Sequence, residues 1–399
     1  MDKFNRSYFW LSLLFIVYFY IVPLSLVSYS GIDWYVGYKL NINKSDIYLS
    51  WVSIFIFLLG CVFFDFFCRF LKFKKIEIEE VESRFHKNRV NMFFWFFLLI
   101  YLLYSFVLLS DSGRASEIYS VRSGESEGSL FSFFLMHVFN ALKISIVVAL
   151  LSDSRNKLAM FVLLVSILVA VTGATGRASL IVSLCLFSIV SFRLSSSFIS
   201  KMAFFGSVLL LPIILNLKSI IYSIAIEGSI PNVFDLFIGD IDYSLYLVNF
   251  GHVVFSMLNV DSLIELVGHR YFYDYIQGFI FYFKILGWDF GSSITYFNTE
   301  SIMGIHSSII PPGYLAMGYV QLGLLGVFLS GVLYRIIGYV CEYVYKKVGN
   351  GNSATCFYLS FMAANSFYHG DVRIMVMTIF FPLVAMLVLN KAFRKSFKF

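Results

Sequence analysis

The chain has 399 residues, of which 59% are hydrophobic and only 14% charged, where a soluble domain of this length is about a quarter charged. With a mean hydropathy of +0.81, no water-soluble fold covers that much apolar surface, so the solvent is lipid. The net charge of +6 is scattered over short segments and forms no basic tail or stripe, which argues against a nucleic-acid partner.

A membrane span needs about 20 mostly apolar residues. In chain order, such runs predict spans near 8–28, 47–68, 91–110, 130–151, 158–172, 178–193, 202–226, 313–340, 353–367 and 374–391. The expected fold is an all-α integral membrane protein of about ten spans (range about nine to twelve). The first run lacks a small-residue cleavage site and reads as a retained signal-anchor. About 19 of the 30 Lys and Arg fall in the N-terminus, 69–90, 152–157, 193–201, 341–352 and the C-terminus; the positive-inside rule puts both termini in the cytoplasm. The organisation expected is helices 1–7 over 1–226, a large periplasmic loop over 227–312, and helices 8–10 over 313–399. Cys61, Cys68, Cys185, Cys341 and Cys356 lie in apolar runs or near their cytoplasmic ends, which suggests neither a disulfide framework nor a zinc site.

The 227–312 segment is too long for a connector. Residues 243–260 and 271–287 are aromatic and apolar but too short or interrupted to span, so amphipathic or re-entrant helices on the outer leaflet are expected. Gly278 and Gly287 break the second of these stretches.

Ionisable groups near membrane depth are the residues that call for a role. Arg177 sits in a tight Gly173-Ala174-Thr175-Gly176 turn, Lys218 in the outer third of the seventh span, and Arg373 after His369-Gly370-Asp371. Arg114 and Arg122 follow the third span, and Arg270 and Lys284 lie in the long loop. Such cations suit an anion at the outer interface, because guanidinium matches phosphate oxygens bidentately; the membrane-bound anion to expect is a lipid phosphate or diphosphate. Anchoring to headgroups, or pairing with Asp371 and Glu227, is the structural alternative. Asp240-Ile241-Asp242 places two carboxylates where one could serve as a base, and His306 is a second candidate. His137, Asn140 and Lys143 share one face of the fourth span, a polar seam. Asp65 and Arg335 are expected to snorkel towards inner helix ends. No metal motif stands in a useful context, and no metal or other cofactor is expected.

Two stretches carry a family likeness. One is Gly173 to Leu180 (GATGRASL). The other runs from Gly291 to Gly331, with a Gly-Ser-Ser start, a Pro-Pro-Gly helix start and Gly318, Gly323, Gly326 and Gly331 in the span. With the large outer loop, the chain resembles O-antigen (Wzy-type) polymerases, the oligosaccharide repeat unit polymerases. The resemblance implies a bacterial inner-membrane glycosyltransferase of GT-C-like fold. It would join undecaprenyl-diphosphate-linked oligosaccharides, as donor and acceptor, on the periplasmic face, alongside membrane lipid and a chain-length regulator protein. The donor is a lipid diphosphate, so no nucleotide sugar is implied. Arg177 would be the family's outer arginine, with Arg270 and Arg373 after it; the Arg-x10-Gly pattern of some members is absent here.

On this reading the catalytic groups are Arg177, Asp240, Asp242 and His306. Substrate is held by Arg270, Arg373, Lys218, Arg122 and Arg114, and Tyr271, Tyr273, Tyr275 and Trp288 are available to stack on sugars or to anchor the loop. An O-antigen ligase, using the same donor with a lipid A-core acceptor, fits the same layout. A flippase or other transporter would call for short outer loops and an internal repeat. A membrane acyltransferase would call for an early membrane His, which the first span lacks.

Overall fold

The apolar runs form helices. The structure is a computed structural model that describes residues 3–35, 37–70, 92–110, 143–151, 155–171, 177–209, 243–280, 291–306, 310–348 and 351–394. Among the described residues, three helices are long and apolar enough to cross a membrane: α1 (Lys3–Ser30), α2 (Lys44–Phe70) and Gly313–Val348. Shorter helices overlap the other expected spans: α3 (Met92–Ser110), α4 (143–151), α5 (Asn156–Val171), α6 (Arg177–Phe192), α7 (Ser196–Leu209), α15 (Ser353–His369) and α16 (372–394); 130–142 and 210–226 of the expected spans lie outside the described residues. The chain is therefore a helical membrane protein.

Two prolines interrupt these helices in the same way. Proline lacks an N–H and collides with the carbonyl four residues before it. In α1 a π turn over Val17–Ile21 precedes Val22-Pro23, and in α16 one over Val376–Phe380 precedes Phe381-Pro382. The wider turn absorbs the misfit without ending either helix.

The end of the bundle carrying Arg69, Lys346 and Lys347 is held by close apolar packing. Phe4 lies against Tyr8 and Tyr345, and Tyr8 against Tyr334. Gly60 and Gly331 let α2 meet the Gly313–Val348 helix backbone to backbone, since a Cβ at either would run into a carbonyl of the facing helix. Small residues serve this purpose between membrane helices. Asp65 and Arg335, expected to snorkel towards inner helix ends, pair with each other across this contact. Arg335 donates from Nε and Nη2 to Asp65 Oδ1 at 2.9 and 2.6 Å. Their helices touch here, so each charge finds its partner before it finds water.

The expected continuous span over 313–340 is broken. Leu322 and Gly323 leave helical geometry, Gly323 at φ +58°. The element is thus a short arm, α13 (313–321), and a long arm, α14 (324–348), with α13 folded back. Gly318 and Gly326 touch through their backbones, and a Cβ at Gly318 would lie 2.6 Å from Ser330 Oγ. At 1.5 Å per residue α13 is only about 13 Å long, and α14, about 37 Å, has the spanning length. Gly-rich apolar sequence reads as one helix because glycine's freedom to turn leaves no mark on hydropathy.

The end of the bundle away from Lys346 is covered by short helices. These are α8 (Tyr243–Phe250), α9 (His252–Leu258), α10 (Val260–Val267), α11 (Tyr273–Ile280) and α12 (Ile294–Met303). A hairpin of β1 (Trp34–Tyr35) and β2 (Tyr38–Lys39) joins them, with the Tyr35 ring 4.8 Å from that of Phe255. Short helices were expected here. They were expected to lie amphipathic or re-entrant on the outer leaflet, and α9 departs from a surface-lying helix: every one of its residues is buried, so this part of the cap is core.

Candidate functional site

Helix α12 is the hub of a polar cluster under the cap. Its buried positions Ile294, Thr295, Asn298, Thr299 and Ile302 form one face of 3.6-residue period, and three of the five are polar. Asn298 Nδ2 donates to Ser256 Oγ and to the Ile310 carbonyl, both at 2.9 Å. The Ile310 N–H donates to Thr299 Oγ1 at 3.0 Å. Thr295 donates to Asp371. Buried polar groups of this kind persist where they are satisfied, and here they fasten α12 to α9, to the chain before α13 and to the 370–373 turn.

That turn begins at Gly370, left-handed at φ +61° after α15. Asp371 then caps α16, its Oδ1 accepting from the Arg373 N–H at 2.9 Å. The same carboxylate takes the Arg373 guanidinium, Nη2 lying 2.5 Å from Oδ2. Asp371 is 2% exposed and Arg373 8%. Burial alone would raise the Asp371 carboxyl. The Arg373 charge, with hydrogen bonds from Arg373 and Thr295, outweighs it and holds the group below its ordinary 3.8. Arg373 also lies over the Tyr296 ring at 5.6 Å.

The sequence placed this turn at the outer surface, but the structure recesses it. Gly370 touches Gly313, which touches Tyr20, and the Tyr368 ring lies 4.2 Å from the Phe19 ring, tilted by 51°. Along α1 that level is about 15 Å short of Ser30, at 1.5 Å per residue. The turn ends low because α15 has only 17 residues.

A second pair sits beside it. Arg270 donates from Nε and Nη2 to the two oxygens of Asp274 at 3.1 and 3.0 Å, a fork that suits guanidinium. Asp274 is buried and also accepts from Gln321 Nε2 at 2.8 Å. The Arg270 guanidinium lies 4.7 Å from the Tyr273 ring and 5.5 Å from Phe297. Its backbone is shaped by Tyr271 and Phe272, both at positive φ (44° and 66°), where a bulky residue is strained. The strained turn lets the Arg270 and Tyr271 N–H groups cap α13, bonding the Val320 and Gln321 carbonyls at 3.1 and 3.3 Å. Helix α11 then meets the recessed turn directly, since a Cβ at Gly278 would lie 2.7 Å from Val372 Cγ1.

The third group is half exposed. His306 Nδ1 is 2.6 Å from Glu300 Oε2, and Nε2 is 3.0 Å from Ser292 Oγ. The imidazole packs near the Tyr296 and Phe297 rings at 5.3 and 5.6 Å. Gly304, left-handed after α12, turns the chain back so that His306 reaches this face.

Arg270, Arg373 and His306, singled out separately in the sequence, therefore meet around two neighbouring rings of α12. Arg177 is the first residue of α6, at the end away from Arg193. Asp240, Asp242, Lys218, Arg122, Arg114, His137, Asn140 and Trp288 lie outside the described residues. Lys143, on α4, is buried and donates to Ser179 Oγ at 2.7 Å. Of the aromatics expected to stack, Tyr271 is exposed, Tyr273 faces Arg270, and Tyr275 is bonded to Ser330.

Sequence reasoning missed Asp274, Gln321, Thr295, Tyr296, Phe297, Ser292 and Glu300. A signal existed for Asp274, which stands four residues after Arg270 at helical pair spacing. Both arginines already carry a carboxylate, so an anionic ligand would share each guanidinium rather than find a bare charge. Compared with known proteins, the chain matches no family model, no curated protein and no solved structure.

Proposed function

We propose that this protein is a lipid-diphosphate-linked oligosaccharide polymerase of a bacterial inner membrane, with about ten GT-C-like spans and both termini cytoplasmic. It extends a surface polysaccharide on the periplasmic face. The observation that carries the reading is the convergence of Arg270, Arg373 and His306 on one helix beneath a cap at the end of the bundle away from Lys346 and Lys347. The likeness of the 173–180 and 291–331 stretches to the polymerases supplies the substrate class.

In this reaction the donor's C1–O bond to the diphosphate breaks, and the diphosphate leaves with the bonding pair. The acceptor hydroxyl oxygen bonds to C1 and gives its proton to a base, for which Asp240, Asp242 and His306 are the candidates. Cations fixed in a site shielded from water stabilise the departing charge. Arg177 takes this role first, with Arg270 and Arg373 holding the substrate's phosphates. Lys218, Arg122 and Arg114 are further candidates for holding the substrate.

Deleting the gene and running the surface polysaccharide on a gel tests the reading. A single repeat unit on the core is expected. Loss of all capping would move the assignment to a ligase or flippase, and an unchanged ladder would end it. Arg177→Ala should abolish the ladder at normal protein level, and a full-length ladder from that variant would remove Arg177 from the site.

A further inference from the structure

Ser292 and Glu300, which the polymerase reading does not use, form a hydrogen-bonded chain with His306, one of that reading's candidate bases. We propose that Ser292, His306 and Glu300 are the nucleophile, base and orienting carboxylate of an ester-cleaving site at the capped end of the bundle. The inference does not rest on the polymerase reading.

The geometry has the three required parts. A nucleophile within about 2.6–3.2 Å of its base, and a base held by a third group, is the general signature of nucleophilic catalysis. Here the Ser292 Oγ to His306 Nε2 distance is 3.0 Å, and His306 Nδ1 to Glu300 Oε2 is 2.6 Å. The carboxylate selects the tautomer with the proton on Nδ1, which leaves the Nε2 lone pair to accept the serine hydroxyl. The ring is also held from the side. Tyr296 and Phe297 flank it, Arg373 lies over Tyr296, and Arg270 lies over Phe297. The buried ion pairs thus act as positioning groups for the imidazole.

An oxyanion needs donors, and α12 supplies them. Ser292 directly precedes Ser293, the N-cap of this ten-residue helix, and Ser293 makes no side-chain cap. Its buried Oγ has no partner among the described residues. The first N–H groups of a helix are unpaired donors at its positive end. Those of Ile294 and Thr295 follow the nucleophile by two and three positions.

The step balances without an external oxidant or reductant. Ser292 Oγ attacks the carbonyl carbon of an ester and passes its proton to His306 Nε2. The ester C–O bond breaks, and the leaving alcohol takes that proton. Water then cleaves the acyl-serine by the same base, releasing a carboxylic acid and restoring Ser292. The substrate class is a carboxylic ester at the lipid–water boundary, since half-exposed His306 is preceded by exposed Ile305. An O-acylated sugar and a glycerolipid share this chemistry.

A fluorophosphonate probe on the full-length chain in detergent tests the proposal. Peptide mapping should place the label on Ser292, with none on Ser292→Ala. His306→Asn should slow labelling about 100-fold or more, the contribution of a general base, and Glu300→Gln should slow it less. Wild-type labelling no greater than that of Ser292→Ala overturns the proposal, as does a rate untouched by His306→Asn. Should His306→Asn fail to fold, the Glu300→Gln rate decides in its place, and a rate equal to wild type overturns the triad. Turnover of p-nitrophenyl acetate or laurate above Ser292→Ala is also expected, acetate preference marking a sugar O-acyl group and laurate preference a lipid ester; no turnover on either overturns the assignment. Ser292→Ala should leave any glycan ladder intact, which separates this site from the polymerase reading.

Discussion

At the basic end of the bundle, Phe4, Tyr8, Phe57, Tyr334 and Tyr345 pack ring against ring, and two glycines bring helix backbones together. At the capped end, comparable burial is given to Asp274, Gln277, Thr295, Asn298, Thr299, Gln321, Asp371 and Arg373. Among the described residues the basic end has one Arg–Asp pair and the capped end two. The side chains of Arg335 and Asp65 are 23% and 43% exposed, whereas those of Arg373 and Asp371 are 10% and 2%. Apolar side chains of similar volume would fill the capped end as stably. A polar centre kept there fixes orientations, and the orientations it fixes are those of Tyr296, Phe297 and His306.

Substitutions can break this contrast. Arg373→Ala should have the largest effect, about 3–5 kcal/mol, because it leaves Asp371 buried and uncompensated; thermal unfolding in detergent reads the loss. The double variant Arg373→Met, Asp371→Leu should recover most of it, and no recovery would mean that packing rather than charge holds the turn. Thr295→Val should cost less, about 1.5–3 kcal/mol, by removing one donor to a charged acceptor. Arg335→Ala at the other end should cost about 1 kcal/mol or less, as expected for a partly exposed pair.

The smallest effect expected is that of pH. The Asp371 carboxyl is held below 3.8 in the folded protein, so its contribution is present above the unfolded value and lost only as pH falls through the folded one. The stability difference between wild type and Asp371→Asn should therefore be flat from pH 8 to about 5. A slope in that range would contradict the pairing.

That the chain is a helical membrane protein was legible because an apolar run of about 20 residues suits little besides a bilayer. The fold-back at Leu322-Gly323 was not, since both arms are apolar and the turn needs only a glycine. Arg270, Arg373 and His306 stood out as polar groups in apolar surroundings. Their meeting point did not, because Tyr296 and Phe297 look like any aromatic pair in a chain with 47 Phe and 26 Tyr. Ser292 and Glu300 were hidden for a different reason. They stand 14 and 6 residues from His306, and the left-handed Gly304 that closes the gap lies outside helical periodicity.

The cap on α13 has a consequence for the order of assembly. His269, Arg270 and Tyr271 are bonded to the Val320 and Gln321 carbonyls, and Val320 stands 51 positions after His269. During synthesis at about 5–20 residues per second, Val320 leaves the ribosome about 3–10 seconds after His269. Through that interval the Tyr271-Phe272 turn lacks the partner that holds it in its strained shape. The capped end is therefore closed late, only after the hairpin of α13 and α14 has been delivered to the membrane.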